Sequence, residues 1–459
     1  MKSKGLTRRK FIATVSAGSV AAVASNAIPI IGNRAVNADT LAILGGVPVR
    51  SKNKTWPRWP YVDQRVIDSI LKTTNSGKWC RTSGGFESGS TKGPVDAFEA
   101  EYAKLYGVKR CVAVNTGTSA LNCAVEALDI GAGDEVITSP YSDIGTIDSI
   151  MVSRALPVMA DLDPESYQLD PDEVEKRITE NTRAIMPVHI MGVPCNMERI
   201  MAIAKKHNLL VIEDSCQAHF AEYQGKKLGT IGDLGCFSFQ VSKAIACGEG
   251  GAVVGNDDER MAMVYAIQNK GSRPGQGHIR IGPKYRMTEF EGAILLGQLP
   301  GMLERFEIRN KNADYLSSKL KNFPGLVPQK QYEGTTKSGY YKYALSYHKE
   351  HFNNADRSKF LKAIQAEGIP LSAYVTMGFH RDNGWQSYLL NLKVYQKMYT
   401  PARLKKYRDE FDYPNCDKVC AEVVILEGPG HLLGTREDMD DIINAVMKVY
   451  ENRDKLNSI

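Results

Sequence analysis

The stretch that decides the fold is VIEDSCQAHFAEYQGKKLGTIGDLGCFSFQVSKAIACGEGGAVV, residues 211–254. In it an apolar run ends in Asp214, and Lys243 follows 29 positions later in a Ser-Lys-Ala turn before Gly-Glu-Gly-Gly. A lysine amine can form a Schiff base with an aldehyde cofactor, and a carboxylate can hold a pyridine nitrogen protonated. Taken singly, each residue has a plainer interpretation, Asp214 as a helix cap and Lys243 as a solvated loop lysine. The pair therefore predicts a cofactor site only if other parts of the chain support it.

The charge distribution separates the first 38 residues from the rest. The 459-residue chain has 58 Lys and Arg against 52 Asp and Glu, and residues 1–38 carry six of the basic residues and no acidic one. The remainder is electrically balanced, which argues against nucleic acid or an anionic membrane surface as partner.

The leader itself resembles a twin-arginine export signal. Arg8-Arg9 is followed by Lys10-Phe11, a weakly apolar run reaches Ile31, and Val-Asn-Ala precedes Asp39. We expect export to the periplasm. The alternatives are a mitochondrial-type or uncleaved anchor segment, and otherwise a cytoplasmic protein.

The nine cysteines do not form a metal motif. They are scattered, contain no CxxC pair, and have no histidine cluster with ligand spacing nearby. We therefore expect no structural metal. Cys416 and Cys420 are the only close pair, and nothing in the sequence supports a disulfide between them.

Apolar runs and amphipathic segments alternate from about Arg110 to Glu213. This order predicts an α/β fold with a mainly parallel sheet, helices on both faces, and ligands at the carboxyl ends of the strands. After a long helix that begins near Met302, a smaller α+β layer closes the chain. The predicted divisions are a signal segment 1–38, an arm and first helix 39–78, a large α/β domain 79–300, and a linking helix with a small domain 301–459.

A second motif supports the first. Within Arg110–Leu128 a short strand turns through Asn-Thr-Gly-Thr-Ser into a helix. Free N–H groups, hydroxyls and the helix dipole at such a turn suit a phosphate, although a capped strand-to-helix junction is the plainer interpretation. Ser238 adds a hydroxyl five residues before Lys243.

Together these motifs resemble the DegT/DnrJ/StrS family of sugar and cyclitol aminotransferases, which use pyridoxal 5'-phosphate and have the type-I fold. The resemblance runs from Leu41 to about Asn452 in matching order and spacing. The segments that carry it include LAILGG, NTGTSAL, GDEVITSP, RAIMPVHIMG, VIEDSCQAH, CFSFQVSKAIACGEGGAVV and YRMTEFEGAILLGQL.

The resemblance implies a role for each motif residue. Lys243 would form the Schiff base and carry the proton, Asp214 would pair with the pyridinium nitrogen, and Gln217 would contact the ring hydroxyl. The residues that would hold the phosphate are Gly117, Thr118, Ser119 and Ser238.

Two positions depart from the family pattern. Asp143 stands where an aromatic residue usually stacks on the cofactor ring, and Tyr141 is a candidate to replace it. Lys284 stands where many relatives place an asparagine that reaches the phosphate from the partner subunit. His219 is a further candidate for the substrate pocket, with a structural role as its plainer interpretation.

The expected function is a homodimeric aminotransferase. It would take nitrogen from an amino acid, glutamate or glutamine, and pass it to a keto sugar or cyclitol. The alternatives are another pyridoxal-phosphate reaction, such as elimination or racemisation, and a non-catalytic sensor that keeps the fold and the cofactor. The sequence leaves the acceptor, its stereochemistry and the donor open.

Overall fold

The computed structural model describes residues 39–81, 93–273 and 275–459. The predicted export signal, residues 1–38, lies outside the described residues. The α-helices are α1 (Gln64–Ser76), α2 (Pro94–Tyr106), α3 (Gly117–Ala127), α4 (Ile144–Val152), α5 (Pro171–Lys176), α6 (Met197–His207), α7 (Asp258–Gln268), α8 (Glu289–Gln298), α9 (Met302–Leu320), α10 (Arg357–Ala366), α11 (Asn383–Asn391), α12 (Lys393–Met398), α13 (Pro401–Asp409), α14 (Pro414–Glu422) and α15 (Arg436–Glu451). Short 3-10 helices cover Ala42–Leu44, Ile190–Gly192, Lys349–Phe352, Phe379–Arg381, His431–Leu433 and Arg453–Ser458.

The strands form one large sheet and three small ones. They are β1 (Arg110–Val114), β2 (Glu135–Thr138), β3 (Leu156–Met159), β4 (Thr182–Ile185), β5 (Leu210–Asp214), β6 (Glu222–Tyr223), β7 (Lys226–Lys227), β8 (Leu234–Ser238), β9 (Gly251–Gly255), β10 (Ser272–Arg273), β11 (Gly277–His278), β12 (Leu326–Pro328), β13 (Thr335–Lys337), β14 (Tyr343–Tyr347), β15 (Leu371–Ser372) and β16 (Val423–Leu426). The large sheet has seven strands in the order β1-β9-β8-β5-β4-β2-β3.

The predicted mainly parallel sheet is confirmed. Strands β8, β5, β4, β2 and β3 pair in parallel, and β9 is antiparallel to both of its neighbours, β8 and β1. Only β9 therefore runs against the other six strands. As a result β1, β5 and β8 all end at the same edge of the sheet. The predicted phosphate turn, Asp214 and Ser238 therefore lie at this edge.

The strands of this sheet are apolar because both of their faces are covered. Strands β2, β3, β8 and β9 are buried along their whole length. Helices that follow the strands begin at polar caps, as at α3, where the Thr116 side chain accepts a hydrogen bond from the Ser119 N–H. Such caps satisfy amide groups that have no partner inside the helix, so each helix starts at a fixed point above the sheet edge.

Helices α11 to α14 were not predicted, and they cover the free edge of the large sheet. Leu389, Tyr395 and Tyr407 belong to the same hydrophobic cluster as Val158 of β3. Three tyrosine hydroxyls donate to backbone carbonyls of the edge at alternate positions: Tyr395 to Ala155 (2.7 Å), Tyr407 to Pro157 (2.7 Å) and Tyr413 to Met159 (3.1 Å). These bonds occupy acceptors that an exposed edge strand would offer to another chain.

The C-terminal layer is a four-stranded sheet in the order β12-β14-β16-β15, packed with α9, α10 and α15. The N-terminal arm is attached to this layer, since Arg50 forms an ion pair with Asp438 at 2.6 Å. A second buried pair joins Lys448 to Glu367 at 2.8 Å. The division of the chain near residue 300 stays a prediction.

None of the helices within the described ranges has the length and apolarity needed to span a bilayer. The same ranges contain no group of His, Cys, Asp or Glu side chains placed to bind a metal ion. Cys416 and Cys420 are free thiols, as are the other cysteines.

Candidate active site

A cavity of about 380 Å³ opens at the carboxyl edge of the large sheet. Its walls come from the segments after β1, β2, β5 and β8, and from two tyrosines of the later chain, Tyr341 and Tyr374. Lys243, Asp214, Gln217, Ser238, Gly117, Thr118 and Asp143 all line it. The sequence motifs, which are far apart along the chain, therefore meet in one place.

One wall is the N-terminus of α3. Gly117 and Thr118 line the cavity there, opposite Ser238. A Cβ atom at Gly117 would stand 2.7 Å from the Cβ of Ser238, so only glycine allows this close approach. Ser119 is not among the residues that line the cavity. Its N–H donates to the Thr116 hydroxyl and its own hydroxyl oxygen accepts from that group, so its role at the phosphate stays a prediction.

Asp214 lies at the end of β5 with only 4% of its surface exposed. Its Oδ2 accepts a hydrogen bond from the Thr146 hydroxyl at 2.7 Å, and its Oδ1 accepts from the Cys216 N–H at 3.2 Å. Since the Thr146 proton is used for Asp214, the Ser142 hydroxyl must donate to Thr146 at 2.7 Å. This chain of donors orients the carboxylate, and its members Ser142 and Thr146 were missed as site residues. Their signal in the sequence is a pair of hydroxyl residues four apart, one in the turn after β2 and one in the first turn of α4.

Lys243 is 9% exposed and lies against the face of Tyr341, with Nζ 4.3 Å from the ring centroid. Among the described residues no carboxylate lies within ion-pair distance of this amine. Ser242 donates to the Gln240 side chain at 2.6 Å, so the Tyr341 hydroxyl must donate to Ser242 at 2.8 Å. These bonds fix the ring, and an aromatic face stabilises an ammonium group. Sequence reasoning missed Tyr341, because it comes 98 residues after Lys243.

Gln217 is held at both ends of its amide. Its Oε1 accepts from the Met191 N–H at 2.8 Å, and its Nε2 donates to the Tyr374 hydroxyl oxygen at 2.9 Å. Burial, with the nearby Tyr341 and Asp143, raises the pKa of the Tyr374 hydroxyl, so it remains protonated. With its oxygen already accepting from Gln217, Tyr374 keeps its proton as a donor. Tyr374 was also missed.

Two predicted pocket residues do not line the cavity. Tyr141 is fully buried in a hydrophobic cluster with Ile147 and Met159, so it cannot replace the missing aromatic residue. His219 is 1% exposed, with Nδ1 3.0 Å from the Tyr102 hydroxyl and Nε2 2.8 Å from the Ser238 carbonyl oxygen. Burial lowers the pKa of His219 to about 3, so it is neutral and donates from Nε2 to the carbonyl. The plainer, structural interpretation of His219 is the one that the contacts support.

Asp143 does line the cavity, and it also caps α4 by accepting the Gly145 N–H at 2.8 Å. The position therefore carries a carboxylate instead of a ring. Lys284 is exposed and is not among the residues that line this cavity, so its predicted role from a partner subunit stays a prediction.

A mainly parallel sheet covered by helices, with a buried lysine, a buried carboxylate and a helix N-terminus around one cavity, is the arrangement of fold-type-I aminotransferases. A sequence profile of the DegT/DnrJ/EryC1/StrS aminotransferase family matches residues 72–447. The chain belongs to this family and is an aminotransferase.

Named relatives agree with this assignment. The chain is 32% identical over 435 residues to L-glutamine:2-deoxy-scyllo-inosose aminotransferase of Streptoalloteichus tenebrarius, covering 91% of this chain and 99% of the relative. It is 33% identical over 434 residues to L-glutamine:scyllo-inosose aminotransferase of Streptomyces griseus, covering 90% and 98%. The X-ray structure of an aminotransferase from Psychrobacter cryohalolentis superposes with a TM-score of 0.72 at 28% identity, covering 87% of this chain and 99% of that one.

Proposed function

We propose that this protein is a pyridoxal-phosphate-dependent aminotransferase that moves the amino group of glutamine to the keto group of an inosose, a keto cyclitol. The observation that carries the proposal is the convergence of Lys243, Asp214 and the α3 N-terminus on one cavity. The relatives are named for glutamine and inososes, which supports glutamine as the donor and a cyclitol, instead of a sugar, as the acceptor.

The residues present fit the cofactor. At one end of the cavity the α3 N-terminus and the hydroxyls of Thr118 and Ser238 offer donors for a phosphate, and the absent Gly117 side chain leaves room for it. At the other side, the buried Asp214 already has two donors and lacks a cationic partner among the described residues. A protonated pyridine nitrogen would supply the missing positive charge.

Pyridoxal phosphate, when bound, supplies an aldehyde for the amino group and a ring that withdraws electrons from the substrate α-carbon. The Lys243 amine is the group placed to remove the α-carbon proton of glutamine, and later to return a proton to the acceptor carbon that receives nitrogen. Tyr341 keeps this amine in place and shields it from water. Asp214 would hold the ring nitrogen of the bound cofactor protonated.

The remaining walls suit a polyhydroxylated acceptor. Asp143, Glu249 and the Tyr374 hydroxyl line the cavity. Carboxylates accept hydrogen bonds from ring hydroxyls, and a protonated phenol donates to them. An aromatic residue at Asp143 would present an apolar face to the same hydroxyls.

The test follows the two half-reactions by cofactor absorbance. Glutamine should convert the purified protein to the amine form of the cofactor, and scyllo-inosose or 2-deoxy-scyllo-inosose should restore the aldehyde form. Lys243→Ala should stop both conversions, whereas the exposed control Lys362→Ala should leave them unchanged. If no amino acid produces the amine form, the proposal is overturned. Another cofactor reaction or a sensor role would then be favoured.

We also propose a homodimer in which Lys284 of one subunit serves the phosphate of the other. An exposed apolar group on and after α1 supports an interface, with Ile67, Leu71 and Trp79 each more than 40% exposed. Light scattering should give the mass of two chains. Lys284→Ala should weaken cofactor binding without loss of the dimer, and a monomer with full activity would contradict this part.

We propose export through the twin-arginine pathway, on the basis of Arg8-Arg9, the weakly apolar run that follows and Val-Asn-Ala before Asp39. Fractionation of tagged protein should find it in the periplasm, and Arg8→Lys with Arg9→Lys should retain it in the cytoplasm. Cytoplasmic location of the unaltered chain would refute the proposal.

A further inference from the structure

The Lys342 side chain is largely buried and has no counterion among the described residues. The described part of the chain buries three lysines, Lys243 (9% exposed), Lys342 (8%) and Lys448 (2%). Lys448 is paired with Glu367 and also donates to a backbone carbonyl. Among the described residues Lys342 Nζ has no hydrogen-bond acceptor and no carboxylate within 4.0 Å, although a buried charge normally requires one.

The position of Lys342 links it to the reacting lysine. Its Nζ lies 4.9 Å from the centroid of the Tyr341 ring, and Lys243 Nζ lies 4.3 Å from the same point. The two nitrogens are therefore no more than about 9 Å apart. Lys342 is not among the residues that line the cavity, but Tyr341, whose ring its amine approaches, does line it.

The cavity lacks another cation for the carboxylate of the amino donor. Its walls hold the carboxylates Asp143, Asp214 and Glu249, and Lys243 is the one cationic side chain among the described residues that line it. Lys243 is committed to the cofactor in the proposed function. A donor carboxylate placed here without Lys342 would meet mainly negative charge.

The surroundings of Lys342 favour an anion. Burial and the charge of Lys243 lower the pKa of Lys342, while the Glu427 carboxylate acts in the opposite sense from beyond ion-pair distance. Burial and the charge of Lys342 also lower the pKa of the adjacent His431 to about 4. An arriving carboxylate would thus relieve unfavourable interactions that the protein alone leaves in place.

We propose that Lys342 binds the α-carboxylate of the amino donor and so selects α-amino acids as the nitrogen source. This inference rests on the proposed function, which supplies the donor half-reaction. Tyr341 then has two roles, because its ring lies near both amines and holds the Lys243 amine beside the donor α-carbon.

The first experiment needs only the unaltered holoenzyme. Glutamine and glutaminamide, in which the α-carboxylate is an uncharged amide, are compared as donors by the rate of formation of the amine form of the cofactor. Glutamine should be preferred in kcat/KM by about 10- to 100-fold, the range for a hydrogen bond to a charged group. Equal use of both donors would overturn the assignment of a carboxylate site.

The second experiment locates that site. Lys342→Met keeps the length and removes the charge, and it should reduce the preference for glutamine over glutaminamide to within about 3-fold. Lys342→Arg should retain most of the preference, and the exposed control Lys349→Met should retain all of it. A preference that persists in Lys342→Met would show that another residue binds the carboxylate, and would overturn the proposal.

These experiments distinguish a wrong role for Lys342 from a wrong proposed function. If glutamine produces no amine form with the unaltered protein, the proposed function itself fails. If glutamine reacts but the preference for a free carboxylate is absent or independent of Lys342, only the donor-binding role is wrong.

Discussion

Replacing His219 with glutamine should change how the stability of the protein depends on pH. The imidazole donates from Nε2 to the Ser238 carbonyl and accepts from the Tyr102 hydroxyl at Nδ1. A glutamine amide offers the same donor and acceptor, but it does not titrate. The difference between the two proteins therefore measures the effect of protonating His219 alone. This histidine supports the end of β8, where Ser238 lies.

The magnitude follows from the two pKa values of His219. In the folded protein the pKa is about 3, and in the unfolded chain it returns to about 6.5. Because the folded value is depressed, the stability that neutral His219 provides is complete above pH 6.5 and is lost as the pH falls towards 3. Between pH 7.5 and pH 5.0 the unfolded chain takes up the proton and the folded protein does not, so the free energy of unfolding falls by about 2 kcal/mol. The exact folded value matters little, because pH 5.0 lies well above it.

Urea unfolding at both pH values, at one fixed protein and cofactor concentration, gives the required difference. The wild type should lose about 2 kcal/mol more than His219→Gln between pH 7.5 and pH 5.0. The exposed control His351→Gln should stay within about 0.5 kcal/mol of the wild type at both pH values. A wild-type loss equal to that of His219→Gln would refute the buried, neutral state of His219.

The other expected effects concern the phosphate wall, a buried ion pair and the sheet edge. Gly117→Ala should weaken cofactor binding by at least about 10-fold in an absorbance titration, since the new Cβ stands 2.7 Å from that of Ser238; unchanged affinity would contradict the phosphate assignment. Glu367→Gln should lower the free energy of unfolding by about 3 kcal/mol, because Lys448 is left charged and buried. Adding Lys448→Met to this variant should recover part of the lost stability. A loss below about 1 kcal/mol in Glu367→Gln would argue against a buried ion pair. Tyr407→Phe should cost about 1–3 kcal/mol in urea unfolding and leave the half-reaction rates unchanged, and a rate loss with full stability would mean that the edge helices act on catalysis.

The sequence alone was sufficient to predict the positions of the site residues that lie at strand ends. Thr118, Asp214 and Ser238 each follow a short apolar run, and parallel strands bring such ends to one edge. Their meeting in the cavity was predictable for that reason. The direction of β9 was not, because an apolar strand of five residues carries no mark of parallel or antiparallel pairing.

The parts supplied by the C-terminal half were not predictable. Tyr341, Tyr374 and Lys342 reach the site only through packing of the second layer on the first, and no local pattern encodes that contact. Of the two candidates near the end of β2, Asp143 lines the cavity and Tyr141 does not. Tyr141 lies in the turn after β2, and its ring packs in the core with Ile147 and Met159 instead. The edge helices were missed because the tyrosines of α12 and α13 bury hydroxyls against backbone carbonyls, which an apolar pattern does not reveal.

The most direct test of the central claim is chemical trapping at Lys243. The purified protein is incubated with pyridoxal phosphate, reduced with borohydride and digested, and the peptides are sequenced by mass spectrometry. The account predicts that the cofactor is attached to Lys243, in the segment VSKAIACGEGG, and that prior addition of glutamine prevents the attachment. Attachment at another lysine, or none at all, would contradict it.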